Sequence, residues 1–371
     1  MNILWFSWKD EGHPQAGGAE TVSADLRRQL VENGHAVTLI TAQYPGSASQ
    51  DEKNGVKIFR GGGRFGVYWQ ARKLYKKHLR DWPDLVVDEM NTIPFASAFY
   101  AKSRSVLLTY QLARKVWFYQ MVFPISLVGY LIEPLYLFLI SKKYSSIVTE
   151  SESTRADLQR FGFDGSKIHV FRVGSYLKPV DALPATKKMN QVLSLGAVRP
   201  MKRTLHAVKG FEYARDQNPE LTLVMAGDMS DPYAKKVSEY IKASRHADAI
   251  TVLGRISSEE KLQLMRDSAV IVVTSIKEGW GLIITEAASQ GTPAVAYDAD
   301  GLRDSVQDQK TGLLARAGDP KAVGAAINQL LADKQLYETM RKTAWEWNKQ
   351  FTFENSYKDF TQGAGIDTDR H

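Results

Sequence analysis

Residues 269–297 read AVIVVTSIKEGWGLIITEAASQGTPAVAY, and the order of elements in this stretch decides the fold class. Residues 269–275 are a short β-branched apolar run, the pattern of a buried strand. Gly279 and Gly281 loosen the backbone after it. Residues 282–289 have helical composition, Gly291-Thr292-Pro293 ends them, and a second strand follows over 293–297. Strand, glycine loop, helix, strand is the repeating unit of a parallel sheet. It turns a helix N-terminus, with its free N–H groups and positive dipole end, toward an anionic ligand. Glu278 sits in the loop, and Glu286 stands eight positions later, two turns down the helix. Two carboxylates cannot both greet a phosphate. The carboxylates therefore suit hydroxyl groups and the backbone N–H groups suit phosphate, which together describe a sugar nucleotide.

The alternation extends outward in both directions. Residues 2–7 are strand-like, and 19–33 form a helix with Val22, Leu26 and Leu30 on one face. Gly34-His35 turns the chain into a strand over 36–41, and further strands fall at 85–87, 106–109, 147–149 and 168–172. Residues 177–191 hold Pro179 and Pro184 among polar residues and read as a linker. Beyond them the alternation restarts with a strand at 192–196, a helix at 205–215 and a strand at 221–226. Such alternation predicts parallel, doubly wound sheets. The expected domains are 1–180 and 190–345, with a disordered tail over 363–371.

Bulk properties narrow the function classes. A chain of 371 residues, 44% apolar and 24% charged, is long enough for two or three ordinary globular domains. It has no cysteine, which excludes disulfides, thiolate chemistry and cysteine metal sites. The net charge of +7 favours anionic partners. No nucleic-acid-binding motif accompanies that charge, and no nucleic acid is expected. The first residues lack the basic region and apolar length of a signal peptide, so a cytoplasmic location is expected. The seven histidines show no zinc-ligand spacing, and His13 is the one beside the first glycine loop.

The 277–294 stretch resembles the E-x7-E motif of retaining glycosyltransferases of family four, which use nucleotide sugars and have the GT-B fold. HPQAGGAETVSADLRRQLVENGHAVTLIT near the N-terminus, and LSLGAVRPMKR, AGD and TVLGRISSEEKL later, fall in that family's order. The resemblance covers most of the chain and implies two Rossmann-like domains facing each other across a cleft. The last helix, near 350–362, would return to the first domain. By the same resemblance Glu286 takes the ribose hydroxyls, Glu278 lies near the sugar, and Arg199 and Lys202 take the diphosphate, with Arg203 as an ambiguous neighbour. Backbone N–H groups of Gly279, Trp280, Gly281 and Leu282 complete the donor site, with Arg255 and Ile256. Gly17 and Gly18, in the first strand-to-helix loop, let a backbone approach a phosphate. Tyr110 stands where relatives often carry histidine, a departure that leaves Arg114 and Lys115 as neighbouring cations. The implied donor is a nucleotide-diphosphate sugar and the implied acceptor a saccharide or lipid-linked hydroxyl, with no cofactor and no metal. Asp298-Ala299-Asp300 reads as a turn rather than as a metal site. A sugar phosphorylase or sugar-phosphate synthase on the same fold, and a non-catalytic sugar-nucleotide-binding scaffold, remain the alternatives.

Two segments point to an anionic membrane surface. Residues 68–80 predict an amphipathic helix, with Arg72, Lys73, Lys76, Lys77 and Arg80 opposite Tyr68, Ala71, Tyr75 and Leu79. Residues 116–140 are apolar over a membrane-spanning length but are interrupted by Pro124, Glu133 and Pro134, which predicts an interfacial or partly buried helical hairpin.

Overall fold

The computed structural model describes residues 1–366. The chain divides into two compact units, Met1–Gly174 together with the residues from Thr352 onward, and Ser175–Phe351.

The first unit is built on eight strands: β1 (Asn2–Phe6), β2 (Ala36–Thr41), β3 (Gln50–Lys53), β4 (Val56–Arg60), β5 (Leu85–Met90), β6 (Arg104–Thr109), β7 (Ser146–Thr149) and β8 (Ile168–Val170). They lie in the order β3-β4-β2-β1-β5-β6-β7-β8. Every pairing is parallel except β3 with β4. That antiparallel pair turns at Asn54-Gly55, both at positive φ (52° and 75°), which is the backbone an Asn-Gly hairpin supplies. The helices of this unit are α1 (Gly18–Glu32), α2 (Gly63–Leu74), α3 (Trp117–Gln120), α4 (Ile125–Ile140) and α5 (Glu152–Arg160). The helix predicted over 68–80 begins earlier, at Gly63, and passes into a π-helical turn over Tyr75–Leu79. Its apolar side is buried through Val67, Ala71 and Tyr75.

The second unit carries β9 (Lys188–Leu195), β10 (Thr222–Ala226), β11 (Ile250–Val252), β12 (Ser268–Val273), β13 (Ala294–Tyr297) and β14 (Gly312–Ala315). Their order is β11-β10-β9-β12-β13-β14, all parallel. Between them run α6 (Thr204–Arg215), α7 (Pro232–Ala243), α8 (Ser258–Asp267), α9 (Leu282–Ser289), α10 (Leu302–Ser305), α11 (Pro320–Ala332) and α12 (Lys334–Asn348). β12 is buried along its whole length, which is why its sequence is a continuous apolar run without alternation. The segment read as a linker, 177–191, is held to this unit. Val180 N donates to Ser289 O at 2.9 Å, and Arg341 Nη2 donates to Pro184 O at 2.7 Å. Lys187 Nζ meets the Met265 and Gln290 carbonyls and the Thr292 hydroxyl, and the last residues of the segment already belong to β9.

After α12 the chain returns to the first unit as α13 (Phe353–Ala364), capped by the Thr352 hydroxyl, which accepts from Asn355 N at 3.1 Å. The Phe360 ring stacks on Trp5 of β1 at 5.5 Å, and Arg172 pairs with Asp359 at 2.7 Å. Ser146 donates to Gly363 O and Arg104 to Ala364 O, at 2.5 and 2.7 Å. Residues 363–366 of the expected disordered tail are therefore the capped end of a packed helix, with Ile366 buried. Residues 367–371 lie outside the described residues.

Candidate functional site

In the second sheet the chain order reverses between β9 and β12, because β10 and β11 extend to one side of β9, and β12 to β14 to the other. Open parallel sheets bind ligands outside the carboxyl ends of their strands at such a point. A pocket opens there. Backbone of Gly196, Ala197 and Gly227 lines it, together with apolar Met229, Val252 and Ile283 and the polar side chains of Lys202, Thr204 and Ser275. Its floor is tight: Gly227 N donates to Gly254 O at 2.7 Å and Gly196 N to Ala226 O at 2.9 Å. At Gly227, with φ of 149°, a Cβ would run into the Gly196 carbonyl. Main chain from β9 and β10 is thereby left bare toward a ligand.

The first sequence-predicted residues gather beside this pocket. Arg199 opens the turn that leads into α6; it is exposed, while Lys202 reaches inward to the Glu278 carboxylate at 2.5 Å. Glu278 follows β12, and its backbone N–H donates to Asp300 O at 3.0 Å. Gly301 presses on that loop, since a Cβ there would lie 2.6 Å from the Glu278 carbonyl carbon and 2.8 Å from Gly279 O. Gly281 is the N-cap of α9 and Leu282 its first residue, so the free N–H groups of the helix start three residues from Glu278. Glu286, on the second turn of α9, pairs with Lys261 Nζ at 2.7 Å and faces Ser175 Oγ at 3.4 Å. Both acids are mostly buried, with 14% and 15% of their side chains exposed, and each has its own lysine. The site thus alternates charge: lysine, carboxylate, helix N-terminus, carboxylate, lysine.

Trp280 packs away from this row. It is 8% exposed and lies 5.1 Å from the Phe351 ring and 6.3 Å from that of Trp347. Its side chain anchors the glycine loop to α12, leaving only its backbone for a ligand. Arg255 and Ile256 follow β11. The exposed Arg255 guanidinium pairs with Asp228 at 3.2 Å and, with Ser230, holds the Asp228 carboxyl down at about 2. Arg303 binds Asp298 at 2.7 Å and Asp300 at 2.5 Å, and Lys277 lies 3.4 Å from Asp300, so cations occupy both carboxylates of the Asp-Ala-Asp turn.

Three predicted residues lie in the first unit. Gly17 caps α1, its N–H donating to Glu20 Oε2 at 2.7 Å, and Glu20 in turn pairs with Lys9 at 3.0 Å. Gly18 is the first residue of the helix. Both are exposed, whereas Tyr110 is 3% exposed with its hydroxyl 2.5 Å from Ser23 Oγ. Burial, first of all, and the nearby Glu89 carboxylate push the Tyr110 phenol well above its ordinary range. In this structure Tyr110 is a core residue. His13 lies between the Trp8 and Tyr44 rings, at 5.6 and 5.2 Å.

Two residues of the second-unit site escaped sequence reasoning. Lys261 stands one turn before Met265, the buried residue of α8, so a charge occupies an inward helix position, and that was the legible signal. Ser275 is 1% exposed, lines the pocket, and its hydroxyl has no hydrogen-bond partner among the described residues. Its signal was a hydroxyl just past the carboxyl end of an apolar strand.

Residues 180–347 match the family of glycosyl transferases group 1, and residues 16–174 match glycosyltransferase family 4. The D-inositol 3-phosphate glycosyltransferase of Paenarthrobacter aurescens is 28% identical over 182 residues, which is 46% of this chain and 44% of that protein. The enzyme of the same name from Corynebacterium diphtheriae is 32% identical over 142 residues, 38% of this chain and 33% of that one. The chain spans about half or less of the length of these relatives. Among solved structures, sucrose-phosphate synthase from Thermosynechococcus elongatus superimposes with a TM-score of 0.78 at 21% identity, over 97% of both chains. Anabaena HepE in complex with UDP and glucose does so with a TM-score of 0.72 at 18% identity, over 98% of this chain and 99% of that one. At such identities the structural likeness speaks for the fold alone. Two parallel-sheet units of this topology, and two family matches that between them run from residue 16 to residue 347, place the chain in the group 1 glycosyltransferases of the GT-B fold.

Proposed function

We propose that the protein is a retaining glycosyltransferase that moves a hexosyl unit from a nucleotide-diphosphate sugar to a hydroxyl of a saccharide or lipid-linked acceptor. The observation that carries this reading is the pair of lysine–glutamate couples astride the N-terminus of α9, beside the pocket at the sheet's reversal point. Lys202 and the α9 N–H groups offer positive charge where the departing diphosphate gathers negative charge. Glu286 offers a carboxylate to the ribose hydroxyls and Glu278 one to the sugar. In the transfer, the bond from the anomeric carbon to the diphosphate oxygen breaks and a bond to the acceptor oxygen forms on the same face. The acceptor proton passes to the departing diphosphate. Lysine and helix dipole neutralise that leaving group in this reading, and no metal is assigned. UDP sugars are the first donors to try, since HepE was captured with UDP and glucose.

The test is a thermal-shift series with UDP, GDP and ADP and their sugar derivatives, without added metal. Selective stabilisation by one diphosphate, weakened at least tenfold in affinity by Glu286→Ala, is the expected result. No shift with any of them removes the donor assignment. A shift without turnover on any acceptor favours a binding protein over an enzyme.

A further inference from the structure

Helix α4 is apolar on the wrong side. Its inward face is Ser126, Gly129, Glu133, Leu137 and Ile140, a mixed set in which the Glu133 carboxylate is buried. Glu133 accepts from Ala113 N at 2.8 Å, Arg114 N at 2.6 Å and Trp117 Nε1 at 3.0 Å. Gly129 lies under the Trp117 ring, where a Cβ would come within 2.6 Å. The outward face, by contrast, is aliphatic and aromatic: Ile125, Val128, Leu131, Leu135, Phe138 and Leu139 are each at least 50% exposed. At the turn before the helix, Val122 and Phe123 are 74% and 77% exposed. Exposed apolar areas this continuous are rare on monomers and mark a surface that meets a partner or a membrane.

The second observation is charge. Arg64 of α2 reaches Met121 Sδ at 3.5 Å, so α2 borders this hairpin. α2 and its π-helical extension also expose Phe65 and Trp69, at 70% and 68%. Between Gly63 and Arg80 there is no acidic residue, and between Arg114 and Lys143 the only one is the buried Glu133. The exposed charges of both segments are therefore all positive: Arg64, Arg72, Lys73, Lys76, Lys77 and Arg80 in the first, and Lys115, Lys142 and Lys143 in the second, the last two past the end of α4. No helix among the described residues is long and apolar enough to cross a membrane. Glu133's three hydrogen bonds tie the inward face of α4 to residues 113–117.

We propose that α4 and the 122–123 turn seat in the plane of an anionic bilayer, with their apolar face among the acyl chains and the basic residues of α2 and of 142–143 on the headgroups. Aromatic and aliphatic burial supplies the adhesion, and the cations supply the preference for anionic lipid. The proposal concerns the first unit alone and does not rest on the transfer reading.

The test is flotation of the full chain with vesicles of phosphatidylcholine, with and without phosphatidylglycerol, alongside sedimentation analysis of the free protein. The expected result is at least tenfold stronger binding to the phosphatidylglycerol vesicles, weakening with salt. Leu131→Glu/Leu135→Glu abolishes binding, whereas Lys73→Gln/Lys76→Gln/Lys77→Gln lowers it toward the neutral-vesicle level. Far-UV circular dichroism melts establish that each variant is folded; should the double-glutamate variant fail to fold, Phe123→Ser replaces it, on the exposed turn. Absence of binding to anionic vesicles overturns the proposal. So does a concentration-dependent dimer that Leu131→Glu/Leu135→Glu dissociates in a chain that ignores vesicles, because the face is then the interface of a second copy. Loss of the UDP thermal shift with vesicle binding intact sinks only the donor reading.

Discussion

Gly301→Ala joins the packing of the donor loop to its chemistry. Gly301 has φ of 79° and ψ of −41°, outside the conformations open to a residue with a Cβ. Holding alanine there costs roughly 1–3 kcal/mol of backbone strain. The added methyl also meets backbone, at 2.6 Å from the Glu278 carbonyl carbon and 2.8 Å from Gly279 O, so the loop must retreat by about 1 Å to reach ordinary contact. Strain and displacement together predict a loss of about 2–4 kcal/mol, which for a domain of this size lowers Tm by about 4–15 °C. The same retreat carries Glu278 away from Lys202, now 2.5 Å distant. A misplacement of about 1 Å can cost 100-fold in a positioned reaction. Differential scanning calorimetry with and without UDP reads both effects. A variant with the wild-type Tm refutes the steric argument. One that melts lower yet keeps the wild-type UDP affinity and turnover refutes the role given to the Glu278 loop.

Lys261→Met removes the cation that holds Glu286 and should raise the UDP Kd about three- to tenfold by titration calorimetry, roughly 0.6–1.4 kcal/mol; an unchanged Kd makes Lys261 a bystander. Glu89 lies under α1, where burial, opposed by Arg27, pushes its carboxyl up to about 7 from an ordinary 4.5. The folded state therefore binds more protons than the unfolded one between about pH 4.5 and 7, so stability falls by about 3 kcal/mol as pH rises through that window. Glu89→Gln should flatten this slope in denaturant titrations at stepped pH, and an equal slope in both proteins would falsify the assignment. Thr352→Ala deletes the α13 cap and should cost about 1 kcal/mol in urea unfolding, with no change in UDP affinity; an undiminished midpoint would mean the cap is idle.

The continuous apolar runs and the glycine-punctuated turns were the legible part of the sequence. β12 and α9 stand out because one is buried on both faces and the other ends at Gln290-Gly291, and α1 because Val22, Leu26 and Leu30 repeat at helical spacing. The hairpin of β3 and β4 passed unread although Asn54-Gly55 announces it, because Gln50–Lys53 is wholly exposed and carries no apolar alternation. The reach of α2 back to Gly63 passed unread too, since glycines there resemble a loop. Glu278 and Glu286 could be placed by spacing and Lys202 by the family resemblance, but the pairing of Lys202 with Glu278 and of Lys261 with Glu286 joins residues 76 and 25 positions apart. Only the folding of the sheet decides such partners. Tyr110 was the opposite case: the family resemblance put it where relatives often carry histidine, while Ser23, 87 positions away, meets its hydroxyl inside the core.

The late return of α13 has a consequence for the order in which the molecule can be made. Trp5, Arg104 and Ser146 wait for partners at Phe360, Ala364 and Gly363 that leave the ribosome only after the whole second unit. At ordinary elongation rates the interval between Gly174 and Thr352 is roughly 10–35 s. For that time the outer side of β7 and β8 is uncovered while Ser175–Phe351 folds on its own contacts. A nascent chain arrested before α13 should therefore be sensitive to protease in its first unit and resistant in its second, although the first was synthesised earlier.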